Sequence, residues 1–151
     1  MEVPILGIWI QASRANEILE EVRNKFVSGK RVFIATPNPE ILLCAEKSPK
    51  FKETLAQFDL RIPDGIGLVL ISRLLGTPIP ERVSGSDLIL PLVTLAADAG
   101  LRILILGDTE EVNNKAVDLL RQLLPGVPVI GIGTLPIMQD STGWECPTPI
   151  H

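Results

Sequence analysis

Apolar positions along the chain fall into two alternating rhythms, short unbroken runs and longer stretches recurring every three or four residues. Val3 to Ile10 is a short apolar run and predicts one strand. Ile18, Leu19, Val22 and Phe26 follow at helical spacing, so a helix runs to about Ser28, with Ser13 as its cap and Gly29 as its stop. Arg31 to Ala35, rich in β-branched and aromatic residues, predicts a second strand. Asn38-Pro39 is a helix start, because proline at the first helical position has no amide to leave unpaired. That helix covers Glu40 to Lys47, and Ser48-Pro49 breaks it. Phe51 to Phe58 predicts a short helix with Leu55 and Phe58 inward, and Asp59 to Pro63 a strand. Gly65 to Leu75 is helical and apolar nearly all round, which predicts burial or an apolar partner. Another mostly apolar helix spans Leu88 to Ala99, with Pro91 in its first turn, where proline is tolerated. Leu101 to Leu106 is a continuous apolar strand of the kind buried on both faces. Thr109 caps a helix with the stripe Val112, Ala116, Leu119, Leu120 and Leu123, ended by Pro125. Val127 to Ile132 is the last predicted strand.

Strands and helices that alternate in this way predict an α/β fold: a mainly parallel, Rossmann-like sheet with helices on both faces and right-handed crossovers. Residues 1–133 form the predicted α/β domain, and residues 134–151, with three prolines and no usable period, an irregular tail. No internal repeat and no interdomain linker is visible.

Composition narrows the function. Hydrophobic residues make up 46% of the 151 residues and tyrosine is absent, so the core is aliphatic. The net charge of −4 argues against nucleic acid, which requires a basic face, while leaving small phosphorylated ligands open. Cys44 and Cys146 form no ligand cluster, which argues against zinc; Cys44 reads as a small core residue, and a reducing, cytoplasmic setting fits. The N-terminus lacks the basic start of a signal peptide, and no segment approaches the length of a membrane span. A membrane would be visited at its surface.

The candidate chemistry gathers at strand ends. Thr36 and Asn38, Asp64, Gly107 and Asp108, and Gly131 to Gly133 each follow a predicted strand, and in a parallel sheet such ends share one edge. Arg82, Ser84 and Gly85 open a helix near them. A Thr, an Asn, an Asp, an Arg and several glycines on one rim suit a polar, phosphate-bearing ligand. Each has a plainer alternative. Asp64 and Asn38 are good helix caps. Thr36 can simply end a strand, and Arg82 can pair with Glu81 or Asp87 on the surface. Gly107-Asp108-Thr109 invites a phosphate-loop reading, but Glu110 and Glu111 already place negative charge at that helix start. The glycines at 131 and 133 lack the rest of a dinucleotide fingerprint. The sequence has no phosphate-binding Gly-Lys-Ser/Thr loop and no Asp-x-Asp pair, and its one histidine is His151. Acid–base work therefore falls to a carboxylate, and Asp64, with Gly65 and Gly67 beside it, is best placed.

Four segments in register, Thr36-Pro37-Asn38-Pro39-Glu40, Pro63-Asp64-Gly65-Ile66-Gly67, Glu81-Arg82-Val83-Ser84-Gly85-Ser86-Asp87 and Leu104-Ile105-Leu106-Gly107, resemble the WecG/TagA/CpsF glycosyltransferase family over roughly residues 3 to 133. The resemblance implies an inverting transferase needing no metal or other cofactor and working peripherally at the cytoplasmic face of the membrane. Its members typically move N-acetylmannosamine from UDP to undecaprenyl-diphosphate-linked N-acetylglucosamine, in teichoic acid or related polysaccharide synthesis. It implies Asp64 as general base on the acceptor hydroxyl, with Thr36 and Asn38 in the same pocket and Arg82 facing diphosphate or sugar. Gly65, Ser84, Gly85, Gly107 and Asp108 complete the expected substrate site. Family members continue beyond the last strand with a Gly-Tyr-Phe-like turn and a Pro-Lys-Gln-Glu-like motif that helps build the donor site, whereas Gly133 is followed here by Thr134-Leu135-Pro136. The expectation is a chain truncated relative to the family: either the catalytic N-terminal portion, or an inactive remnant that binds a nucleotide, a sugar-lipid or a partner subunit. A sheet cut short exposes apolar edge, so self-association is also expected.

Overall fold

The computed structural model describes residues 1–107 and 109–132. The chain divides into two compact units, residues 1–92 and 93–151. The first unit opens with strands β1 (Glu2–Ile5) and β2 (Ile8–Gln11), paired antiparallel from Glu2↔Gln11 to Ile5↔Ile8. The single strand expected over Val3 to Ile10 is therefore a hairpin. Leu6 and Gly7 both take positive φ, 51° and 72°, the turn geometry that matches the twist of two paired strands. The side-chain pattern carries the same signal: Val3 and Ile5 are buried, then Ile8 and Ile10, so the period of two slips by one residue at the turn.

Helix α1 (Ala15–Val27) follows, with Ile18 and Val22 fully buried. Ser13 is not its cap. Arg14 holds that position; its amide donates to Glu17 Oε2 at 2.9 Å, and the next amide, of Ala15, donates to Glu81 Oε1 at 2.6 Å. Ser13 is drawn inward instead, its hydroxyl accepting from Gln11 Nε2 at 3.2 Å. The strand expected over Arg31 to Ala35 shortens to β3 (Ile34–Ala35). Helix α2 (Pro39–Lys47) is capped by Asn38, whose Oδ1 accepts from Ile41 N at 2.8 Å, and α3 (Pro49–Ala56) by Ser48. Strand β4 (Leu60–Arg61) runs parallel to β3.

Helix α4 (Ile66–Leu74) buries only Leu68, Val69 and Ser72. Of the two expectations for this apolar helix, burial or an apolar partner, burial holds for one face. Helix α5 (Gly85–Asp98) starts three residues earlier than the apolar run suggested, because Ser84 and Asp87 cap it reciprocally: Ser84 N donates to Asp87 Oδ2 at 3.3 Å and Asp87 N to Ser84 Oγ at 3.2 Å. Pro91 consequently lies inside the helix, in its second turn. The core of this unit joins the hairpin's inner face to the helices, with Ile10, Leu42, Ala45, Leu55, Leu68 and Ile79 packed together. Each fully buried Leu or Ile contributes about 1.5–3 kcal/mol relative to exposure.

In the second unit, β5 (Ile103–Leu106) and β6 (Val129–Ile132) pair in parallel from Ile103↔Val129 to Leu106↔Ile132, joined by α6 (Glu110–Leu123). Thr109 caps α6, its Oγ1 accepting from Val112 N. The buried stripe of α6 is Asn113, Val117 and Leu120; of the predicted Val112, Ala116, Leu119, Leu120 and Leu123 only Leu120 belongs to it. Val112, Leu119 and Leu123 are about half exposed. The cause is Asn113, whose amide nitrogen donates to Gly107 O at 2.5 Å and Ile132 O at 2.7 Å, turning the helix so that this polar side chain points inward. Val117 then packs with Ile103, Ile105 and Val129. Leu104 and Leu106, on the opposite side of β5, remain half exposed, so this strand is covered on one face rather than on both.

The observed architecture is thus mixed α/β. Its strands form three two-stranded sheets, one antiparallel and two parallel, among the described residues.

Candidate functional site

The site is built on the β3–β4 pair. Beyond the two strands the backbone ladder continues: Ile62 N donates to Ala35 O at 2.8 Å, and Asp64 N to Pro37 O at 2.9 Å. Pro37 and Pro63 are both almost fully buried, so two rigid residues hold the strand ends against each other. This rung sets Asp64 beside Pro37, the residue between Thr36 and Asn38. Gly85 closes in from the other side: a Cβ there would lie 3.1 Å from Thr36 Oγ1 and 3.2 Å from its Cγ2. A side chain at this position would press the Thr36 side chain back by a few tenths of an ångström.

The helix that follows Asp64 is capped by Gly65, not by the Asp64 side chain. Gly65 sits at φ 86° and ψ 154°, a backbone region open essentially to glycine alone, and makes no side-chain cap bond. Asp64 is half-buried, and its carboxylate accepts no hydrogen bond and makes no ion pair among the described residues. A carboxylate left without internal partners, at a strand end just before Gly65, has its oxygens available to an incoming donor.

The other expected residues divide. Asn38 is the cap of α2, as its plainer reading had it, and that bond occupies only its carbonyl oxygen. Ser84 is buried and caps α5; its hydroxyl also lies 2.9 Å from Ser86 Oγ. Arg82 is exposed and directs Nη2 at Asp87 Oδ2, 3.3 Å away, the surface pairing weighed as its alternative. Asp87 is held below the usual carboxylate range, first by its hydrogen bonds with Ser84, side chain and then backbone, and last by the Arg82 charge. Thr36, Asn38, Asp64, Gly65, Ser84 and Gly85 therefore share one neighbourhood in the first unit. Gly107 belongs to the second, where its carbonyl accepts from Asn113. Asp108 and Gly133 lie outside the described residues. A shallow depression on α1, lined by Glu17, Glu20, Glu21, Asn24, Lys25, Ser28 and Lys30, involves none of these residues.

Two residues escaped the sequence reading. Arg61, one rung before Ile62, is buried, and its guanidinium donates to Trp9 O at 2.5 Å, to Ala56 O at 3.2 Å, to Phe58 O and to Glu2 Oε1 at 2.8 Å. It ties the hairpin and the end of α3 to the strand that delivers Asp64. A lone cation between Leu60 and Ile62, both buried, was the available signal: such a charge requires partners. Glu81, read as part of a motif and as one possible surface partner of Arg82, instead spans to the α1 N-terminus, where the helix dipole favours a carboxylate.

A carboxylate at the exit of a parallel strand, with glycine-bearing helix starts beside it, stands where α/β folds commonly place ligands. The model of the glycosyl transferase WecG/TagA/CpsF family matches residues 3–144, and the chain belongs to that family. It is 33% identical over 102 residues to an N-acetylglucosaminyldiphosphoundecaprenol N-acetyl-beta-D-mannosaminyltransferase of Bacillus spizizenii, covering 68% of this chain and 40% of the relative. Proteins of the same name from Staphylococcus aureus strains MRSA252 and NCTC 8325 are each 29% identical over 128 residues, covering 83% of this chain and 50% of theirs. The chain thus spans half or less of the length of these curated relatives. No helix among the described residues is long and apolar enough to cross a membrane.

Proposed function

We propose that this chain carries the acceptor-activating part of a Rossmann-like, inverting hexosyltransferase that moves N-acetylmannosamine from a UDP-sugar to N-acetylglucosamine on undecaprenyl diphosphate, at the inner face of the plasma membrane. The observation that carries the reading is the Asp64 carboxylate, half-buried and unpartnered among the described residues, on the same rung as Pro37, the residue between Thr36 and Asn38. The relatives' names supply the sugar and the lipid-linked acceptor.

In the proposed reaction Asp64 takes the proton of the acceptor hydroxyl as its oxygen bonds to the anomeric carbon. The bond from that carbon to the diphosphate breaks on the opposite face, and its electron pair leaves with UDP. Inversion follows from this single displacement. A base placed in this way contributes roughly 10²–10⁴-fold to the rate. No Asp-x-Asp pair is present in the sequence, so the proposal assigns the growing diphosphate charge to Arg82, released from Asp87, and to the backbone amides that open α5. Thr36 and Asn38, through the amide nitrogen that capping leaves over, hold the sugars.

UDP release from UDP-N-acetylmannosamine and a lipid-linked N-acetylglucosamine analogue tests this. The expected result is turnover that Asp64→Asn lowers by about 10²-fold or more. Absence of turnover by the unaltered chain, with UDP still bound in a titration, would instead identify a nucleotide-binding remnant.

A further inference from the structure

The outer face of α4 belongs to no core among the described residues. Ile66, Leu70, Ile71, Leu74 and Leu75 are exposed, Leu74 by 88%, while Leu68, Val69 and Ser72 face inward. Ile66, Leu70 and Leu74 are spaced by four residues and so form one stripe. Arg73 is the only charged residue between Gly65 and Pro80, and it makes no ion pair among the described residues. This helix begins immediately after Asp64 and Gly65, so the stripe is continuous with the candidate site.

We propose that the α4 stripe rests on an anionic phospholipid surface, with Ile66, Leu70 and Leu74 entering the acyl boundary and Arg73 meeting lipid phosphate. The assignment rests on the functional reading above, in which the acceptor is lipid-linked. Charge decides between occupants. A second copy docked about a two-fold axis through the stripe would bring Arg73 toward Arg73 with no acid between Gly65 and Pro80 to neutralise either, whereas a phosphate-rich surface supplies the negative charge. An apolar face with a basic residue at its edge is the composition that lies in a membrane interface rather than across it. The arrangement sets the Asp64 end of α4 at the level of the headgroups, where the diphosphate and first sugar of a lipid-linked acceptor reside.

Cosedimentation of the full chain with equimolar phosphatidylglycerol/phosphatidylcholine vesicles, against pure phosphatidylcholine, tests it. The expected result is binding to the anionic vesicles that Leu70→Glu with Leu74→Glu weakens at least about tenfold, and that Arg73→Glu, a single exposed charge reversal, also weakens. Circular dichroism confirms that each variant is folded. Asp64→Asn binds vesicles normally, which keeps this result separable from that of the base assignment. Failure to bind anionic vesicles, or equal binding by the folded double variant, overturns the proposal. A dimer in sedimentation velocity that Leu74→Glu dissolves, with no vesicle binding, gives the patch to a second copy and overturns it as well.

Discussion

Replacing Arg61 by methionine is the perturbation that most directly probes how the site is held. The guanidinium satisfies three main-chain carbonyls, of Trp9, Ala56 and Phe58, and one carboxylate oxygen, of Glu2. The Arg61 side chain is 11% exposed and that of Glu2 36% exposed, so the two ends of this network differ in solvent access. A partly exposed ion pair contributes about 0–1 kcal/mol. The three carbonyl bonds are part-buried, and a carbonyl that loses its donor where water reaches it poorly costs about 1–3 kcal/mol. Methionine fills much of the space but donates nothing, so Arg61→Met is expected to cost about 1–3 kcal/mol, the range for carbonyls left without their donor. Glu2→Gln, which spares the carbonyl bonds, is expected to cost no more than about 1 kcal/mol. Urea unfolding followed by circular dichroism measures both, the midpoint reporting stability and an unchanged slope confirming that the compared states are the same. A cost below about 1 kcal/mol for Arg61→Met, or equal costs for the two variants, would refute the carbonyl clamp, because solvent-exposed pairing alone would then account for the residue.

Gly65→Ala is expected to destabilise by about 1–3 kcal/mol, because the penalty is the backbone region and not space: nothing lies within 4 Å of the added Cβ. Urea unfolding measures it, and relaxation of that turn is also expected to lower UDP release. Acid titration of stability probes Asp59 and Asp87. Both carboxyls sit below the ordinary value of 3.8, Asp59 through the Phe33 amide and then Lys25, and Asp87 through Ser84. The unfolded chain therefore binds protons more readily than the folded one. Their contribution is full above the ordinary carboxylate value and is lost as the pH falls through the lowered folded-state value. Asp59→Asn is expected to flatten the dependence of the urea midpoint on pH below about pH 4, while an unchanged slope would show that the Phe33 and Lys25 bonds do not distinguish the two ionisation states.

Local signals in the sequence were read correctly where the physics is local. Asn38-Pro39 starts α2 and Thr109 starts α6 because a cap is settled within three residues of chain. Alternating apolar runs identified strands near 34, 60, 103 and 129, although the runs are longer than the strands they yield. The hairpin at Leu6-Gly7 was within reach, since the apolar alternation changes phase there, but eight apolar-rich residues read more simply as one strand. Asp64 was identifiable as a strand-end carboxylate. That Gly65 takes over the capping and leaves Asp64 without a partner among the described residues is a matter of one backbone angle that the residue types permit but do not dictate.

The chain by itself determined where α2 and α6 begin, the strands near 34, 60, 103 and 129, and which carboxylate stands at a strand end, because those depend on neighbours a few residues away. Tertiary structure alone decided the rest. Arg61 reaches Trp9 and Glu2 across 52 and 59 positions, and Glu81 caps a helix 66 positions earlier. Asn113 turns α6 by reaching a carbonyl 19 residues ahead. Partners so distant leave no periodic trace, since the free energy that selects them arises only when burial removes water and each polar group must find its bond within the protein. For the same reason the apolar composition of α4 marks both of its faces alike, and only packing shows that one meets the core and the other meets whatever lies outside.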